Sequence, residues 1–209
     1  MTDQSHFFAY LSKMRWIMRW GMKRNAIPEN IMEHSFDVAT IAFTLALIRN
    51  RVFLEYYDGQ TVDANAIAVC ALFHDTSEVL TGDLPTPIKY HNAEIRDAYK
   101  KVERTAEKEI LSTLPEELQA DFEPLLLESS VPKEHKRLVK AADLLAAYFK
   151  CKAELNAGNI EFSKAAVEVN DRLDDFDLPE LNYFRRKFLD SFDLTLDELI
   201  TPGESIIGK

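Results

Sequence analysis

Between Ile31 and Ile48 the apolar residues Ile31, Val38, Ile41, Leu45 and Ile48 recur at steps of three and four, and His34 sits on the same stripe. Such a stripe marks a helix with one face turned to a core. The pattern returns over 63–80, where Ile67, Cys70, Ala71, His74 and Glu78 share a face. It returns again over 134–157, where Asp143 interrupts the apolar run Val-Lys-Ala-Ala-Asp-Leu-Leu-Ala-Ala-Tyr-Phe. No alternating strand pattern of any length competes with it, and glycine is scarce, at 6 of 209 residues. The fold class expected is all-α.

Punctuation sets the remaining elements. A short helix is expected over 5–18 and a turn from Gly21 to Pro28, followed by the helix at 30–50 and a polar connection at 51–62. Asp63 is a plausible N-cap for the helix at 63–80. Pro85 and Pro87 forbid its continuation through 81–90. Helix resumes over 92–113, Pro115 and Pro132 each open a further helix, and Gly158 closes the long one. Two more helices follow at 160–176 and 180–191, and Thr195 with Glu198 makes a capping box. No repeat or linker divides the chain, so a single domain over 1–209 is expected, its core helices at about 28–157 and the terminal helices packed on them.

Composition excludes several classes. Hydrophobic residues at 46% and charged residues at 29% are globular proportions. A net charge of −10 argues against a nucleic-acid polymer as partner. No apolar run approaches the ~20 residues of a bilayer span, so no membrane is expected. The N-terminal stretch lacks a basic region followed by a long apolar one, so no secretory signal is expected either. Two cysteines, Cys70 and Cys151, fit a reducing cytoplasm better than a disulfide framework. The charge is uneven: no acid lies between Asp3 and Glu29, whereas Lys13, Arg15, Arg19, Lys23 and Arg24 are basic. That segment reads either as a local anion site or as a solvated helix face.

His34, His74, Asp75 and Asp143 are out of place in a plain helical core. A carboxylate inside an apolar stretch costs several kcal/mol unless it is paired or bound to a cation. Each residue alone has an ordinary explanation, a satisfied core histidine or a mid-helix Asp paired with Lys. Together they place imidazole and carboxylate donors on the inward faces of three helices, a set suited to one divalent transition-metal ion. The other histidines, His6, His91 and His135, are poorly placed for a second ion.

The order His34, His74-Asp75, Asp143 resembles the H…HD…D signature of the HD phosphohydrolase superfamily. Longer stretches sharpen it: Glu33-His34-Ser35, the 17-residue run from His74 to Tyr90, Lys140-Ala141-Ala142-Asp143, Ser5-His6-Phe7-Phe8-Ala9 and Arg19-Trp20. These look like the bacterial 5′-deoxynucleotidase family (YfbR-like), over about residues 5–200. The resemblance implies an HD-domain helical bundle, a homodimer, a divalent cofactor such as cobalt or manganese, and deoxyribonucleoside 5′-monophosphates as substrates in preference to ribonucleotides.

Roles follow for particular side chains. His34, His74, Asp75 and Asp143 are the candidate metal ligands. Glu78, one helical turn beyond His74, is the candidate for activating water or returning a proton, and the alternative is a surface Glu near a helix end. Asp83 is expected near the leaving 5′ oxygen, although Gly-Asp is also a common turn pair. Arg19 offers a permanent fork for phosphate oxygens, and Trp20 a flat wall against the sugar near C2′. Asp83, Leu84, Pro85 and Thr86 of the two-proline loop, with Asp143, complete the expected substrate contacts. Two other readings compete: an HD phosphohydrolase for a triphosphate or alarmone, and a non-catalytic metal-binding helical module. The first calls for a larger basic surface than this chain has. The second gives Glu78 and Asp83 no reason to accompany the ligands.

Overall fold

A computed structural model describes residues 4–200, so the ends of the expected 1–209 span lie outside the described residues. The described chain is helical, with one isolated antiparallel bridge, Met18 to Asn30, and no strand. The helices are α1 (Phe7–Leu11), α2 (Ile31–Val52), α3 (Ala64–Phe73), α4 (Glu78–Thr81), α5 (Thr86–Lys89), α6 (Ala93–Ser112), α7 (Glu116–Leu126), α8 (Lys133–Asn156), α9 (Ser163–Asp174), α10 (Pro179–Phe188) and α11 (Leu196–Leu199).

The hub is α2. By length and composition it could cross a bilayer, but its apolar stripe is buried against α3, α8 and α10. Val38, Ala42 and Leu45 meet Ile67 and Ala71 of α3, Leu138, Ala141 and Leu145 of α8, and Leu181 of α10, all of them buried. Burying a Leu or Ile stabilises by about 1.5–3 kcal/mol each, so this layer is the main source of stability. A second cluster joins Phe7 of α1 to Ile110, Leu114 and Leu126. A third joins Cys151, Phe162 and Ala165, with Trp20 packed on it. Both cysteines are free and buried.

The caps explain several boundaries. Asn30 and Glu33 form a capping box at the start of α2. Asp63 accepts the Ala66 N–H at 3.0 Å. Gly158, at φ +78°, ends α8 in a Schellman motif, with Asn159 N–H bonded to Glu154 O and Gly158 N–H to Leu155 O. The Thr195–Glu198 capping box is present.

Two expected helices are shorter than the sequence pattern. The helix at 5–18 becomes α1 followed by a 3-10 turn over Ser12–Trp16. The helix at 63–80 stops at Phe73, and α4 begins only at Glu78. No Gly or Pro marks that break. The cause is His74, whose Nδ1 hydrogen-bonds the Ala71 carbonyl at 2.7 Å. That carbonyl would otherwise accept from Asp75 N–H in a continuing helix. The chain tightens instead into i→i+3 turns, Thr76 N–H to Phe73 O and Glu78 N–H to Asp75 O.

Candidate active site

Three elements bring the histidines and aspartates together. His34, fully buried on α2, places Nε2 3.2 Å from Asp143 Oδ1 and 3.7 Å from Asp75 Oδ2. His74 Nε2 lies 3.1 Å from Asp75 Oδ2. One ligand atom from each of His34, His74 and Asp143 falls within 4.8 Å of the others. Asp75 stands against the two imidazoles beside that trio.

The donor set fits a cation. His74 donates Nδ1–H to the Ala71 carbonyl, which leaves the Nε2 lone pair facing the carboxylates. That Nε2 is buried without a hydrogen-bond partner. A bare nitrogen set against carboxylate oxygens is repulsive unless a positive charge lies between them. Either a proton on the imidazole or a metal ion supplies it, and imidazole with carboxylate suits a first-row divalent ion. Lys140, one turn before Asp143, holds its Oδ2 at 2.6 Å and so turns Oδ1 toward His34. Burial would raise the pKa of Asp75 and of Asp143, but the positive neighbours prevail. Asp75 is held far down by His74, His34 and Arg19, and Asp143 by Lys140, His34 and His74.

Glu78 is in the opposite position. Burial first, then Asp75 and Asp83, push its carboxyl up to about 10, and its Oε2 is buried without a partner. It opens α4 instead of continuing α3, so Glu78 is not one regular helical turn beyond His74 as expected, and the tightened turn at 74–77 brings it to Asp75 and Asp83. Asp83 is also raised, chiefly by burial, and its Oδ2 accepts the Trp20 backbone N–H at 3.0 Å. Gly82 precedes it at φ +72°, ψ 164°, a region open in practice only to glycine. The Tyr99 hydroxyl of α6 donates toward Thr81 Oγ1 and the Gly82 carbonyl, bracing this corner. Beyond it Leu84 and Pro85 are half-buried and Thr86 is exposed at the start of α5.

Of the five basic residues before Glu29, the site receives Arg19. Its Nη1 lies 3.4 Å from Asp75 Oδ2, and its Nε bonds Glu29 at 3.0 Å. Burial opposes its charge, but Asp75, Asp143, Glu29 and Asp83 surround it and keep it a cation. Lys13, Arg15 and Arg24 are exposed, and Lys23 turns to Glu161. Trp20 has φ +61°, a left-handed backbone rare for so large a residue. Its N–H is fixed by Asp83, its carbonyl by Lys23 N–H at 2.8 Å, and its indole packs edge-on to Phe162 at 5.3 Å. A cavity of about 190 Å³ is lined by His74, Asp75 and Asp143 together with Cys70, Leu126 and Val139.

A family model described as 5′-deoxynucleotidase YfbR-like matches residues 6–192. The chain belongs to the YfbR-like family. A 5′-deoxynucleotidase of Vibrio parahaemolyticus is 50% identical to this YfbR-like chain over 196 residues, covering 94% of this chain and 98% of that protein. One of Photobacterium profundum is 50% identical over 197 residues, covering 94% and 99%. Among solved structures, an HD-domain phosphohydrolase from Listeria innocua matches with a TM-score of 0.76 at 25% identity, covering 90% of this chain and 88% of that one.

The sequence assigns no role to three contributors to this YfbR-like site, Lys140, Tyr99 and Glu29. Lys140 carried a readable signal, its i,i+3 spacing from Asp143. Tyr99 and Glu29 carried none, since they act across distant or irregular segments.

Proposed function

We propose that this chain hydrolyses deoxyribonucleoside 5′-monophosphates to deoxynucleoside and phosphate, using one divalent cation held by His34, His74, Asp75 and Asp143. The observation that carries the reading is the 50% identity to 5′-deoxynucleotidases over nearly the full length of both chains. The convergence of His34, His74 and Asp143, with His74 Nε2 buried and unpartnered, supports it. A cation bound there supplies Lewis-acid charge at the phosphate and favours deprotonation of the attacking water.

The chain's own residues do the rest. Two carboxylates cancel the charge of a dication, so attraction for a phosphate dianion falls to Arg19, with Lys140 behind Asp143. Among the described residues Arg19 Nη2 has no protein partner, and Nη1 reaches the cluster at Asp75. Glu78, poised beside Asp75 and Asp83, holds its own proton in the metal-free site and would take the proton of the attacking water only in its ionised form, which a bound cation would favour. Asp83 places its remaining oxygen toward the leaving 5′ oxygen, its other oxygen being tied to Trp20. Trp20, clamped in a strained conformation, forms a rigid wall at the sugar. A 2′-hydroxyl pressed on it loses its hydrogen bonds, which disfavours ribonucleotides. Leu84, Pro85 and Thr86 complete the nucleotide cradle. A triphosphate or alarmone fits less well, because Arg19 is the one basic residue of its segment that reaches the cluster.

Cobalt or manganese is the proposed ion. A homodimer is also proposed. It is supported by exposed Phe36 and Leu47 on α2 and Val69 and Leu72 on α3, two helices that pack side by side. The aromatic C-terminal stretch instead packs on its own chain, with Phe192 stacked 3.7 Å from Phe149.

The test is phosphate release from dAMP and AMP, before and after chelation and on return of Co²⁺ or Mn²⁺. Metal-dependent release from dAMP with little from AMP is expected. Metal binding without turnover of either nucleotide would favour the non-catalytic module.

A further inference from the structure

We infer that Glu29 is a positioning residue that sets Arg19 and Trp20 together, so that one carboxylate oxygen aligns the phosphate contact and the sugar wall. The inference rests on the substrate roles proposed for those two residues.

A single oxygen, Glu29 Oε2, accepts from Arg19 Nε at 3.0 Å and from Trp20 Nε1 at 3.1 Å. The backbone of the same residue accepts the Arg19 N–H at 3.0 Å, within the bridge that joins Met18 to Asn30. Arg19 and Glu29 side chains are each 12% exposed, so water competes poorly for these bonds. The consequences for Arg19 are directional. A guanidinium held at Nε has its plane fixed, and Nη1 then lies 3.4 Å from Asp75 Oδ2. For Trp20, φ and the backbone N–H are set by Asp83, while the indole N–H on Glu29 fixes the rotation of the ring. Without Glu29 the ring keeps its Phe162 contact but loses its polar anchor.

The segment that carries Glu29 is itself pinned. Ala26 and Ile27 donate their backbone N–H groups to Glu154 at 2.8 and 3.0 Å. Asn30 then caps α2, the helix that bears His34. The acceptor therefore sits on a rigid bar, and side-chain length at 29 decides the reach.

Conservative variants of the metal-loaded full chain separate the possibilities. Glu29→Gln keeps an acceptor oxygen at the same reach and removes the charge. Glu29→Asp keeps the charge and withdraws the acceptor by one methylene. The inference expects Glu29→Gln within about threefold of wild type in kcat/KM on dAMP, and Glu29→Asp lowered about 10- to 100-fold, the range for losing a hydrogen bond to a charged group. It also expects a smaller dAMP-over-AMP preference in Glu29→Asp. A readout independent of turnover is Trp20 emission in a Trp16→Phe background, those two being the chain's only tryptophans. Emission should shift in Glu29→Asp and hold in Glu29→Gln.

Wild-type kcat/KM and emission in Glu29→Asp would overturn the inference. So would equal losses in both variants, because Glu29→Gln keeps the acceptor oxygen at the reach that the inference holds sufficient, or a lowered Tm in Glu29→Asp with unchanged kcat/KM. Arg19→Ala is the control. If it leaves kcat/KM and phosphate inhibition untouched, the substrate role of Arg19 fails; if it impairs both while Glu29→Asp does not, Glu29 alone fails.

Discussion

Removing the Glu154 carboxylate should loosen the turn that carries the arginine and tryptophan of the site. Glu154 is wholly buried on α8 and collects four donors: Ala26 N–H, Ile27 N–H, the Asn159 amide and the Lys150 ammonium. Lys150, also buried, donates in addition to the Ile27 carbonyl. Glu154→Ala leaves that ammonium without its counter-charge, a loss of about 3–5 kcal/mol for breaking a buried pair. The two orphaned backbone N–H groups add about 1–3 kcal/mol each unless the turn opens to water. Opening is the easier course, since Ala26 and Ile27 are exposed, so the ion-pair loss alone is the working figure. In a chain of 209 residues, each kcal/mol lowers Tm by about 2–4 °C, which gives a fall of about 6–20 °C. Calorimetry or far-UV circular dichroism of the metal-loaded protein at pH 7 measures it. The double variant Lys150→Met/Glu154→Leu should recover much of the loss, because well-packed apolar residues can replace a buried pair. A fall below about 2 °C in Glu154→Ala would refute the reasoning, because it would mean less than about 1 kcal/mol rests on the pair.

Gly82→Ala should lose about 1–3 kcal/mol from a backbone region closed to alanine, and kcat/KM should fall with it because Asp83 follows directly; thermal melts and steady-state kinetics check both. Glu107, pushed up to about 7 mainly by burial and then by Glu128 and Glu103, holds its proton in the folded protein at pH values where the unfolded chain has released it. Its contribution is therefore fully present below about 4.5 and is lost as pH rises to about 7. Tm against pH should be flatter in Glu107→Gln across that window. Trp20→Ala should narrow the preference for dAMP over AMP more than it lowers turnover of dAMP; an unchanged ratio of kcat/KM values would remove the wall from the sugar. Chelation should lower Tm as well as abolish turnover, since an ion present at 100 times its dissociation constant stabilises by about 2.7 kcal/mol.

The parts of this site that were legible are those that violate the apolar pattern. His34 lies in a stripe of Ile, Val and Leu, and Asp143 in a run of Ala and Leu, so the pattern alone demands a partner for each. The same logic would have exposed Lys150 and Glu154, an i,i+4 pair within the same helix. The break at His74 was not legible, because it arises from a side chain competing for the Ala71 carbonyl and leaves no Gly or Pro behind. Arg19 and Trp20 came forward by resemblance to a family, since by residue type they belong to an ordinary basic, aromatic segment. Glu29 stayed hidden because its partners are ten and nine residues back, across an irregular turn that periodicity does not describe.

The most direct measurement is an anomalous difference map from crystals grown with Mn²⁺. One peak per chain is expected, touching His34 Nε2, His74 Nε2, a carboxylate oxygen of Asp75 and Asp143 Oδ1 at about 2.0–2.2 Å. A peak elsewhere, or one bound by the aspartates while both imidazoles stay on hydrogen bonds, would contradict the proposed centre.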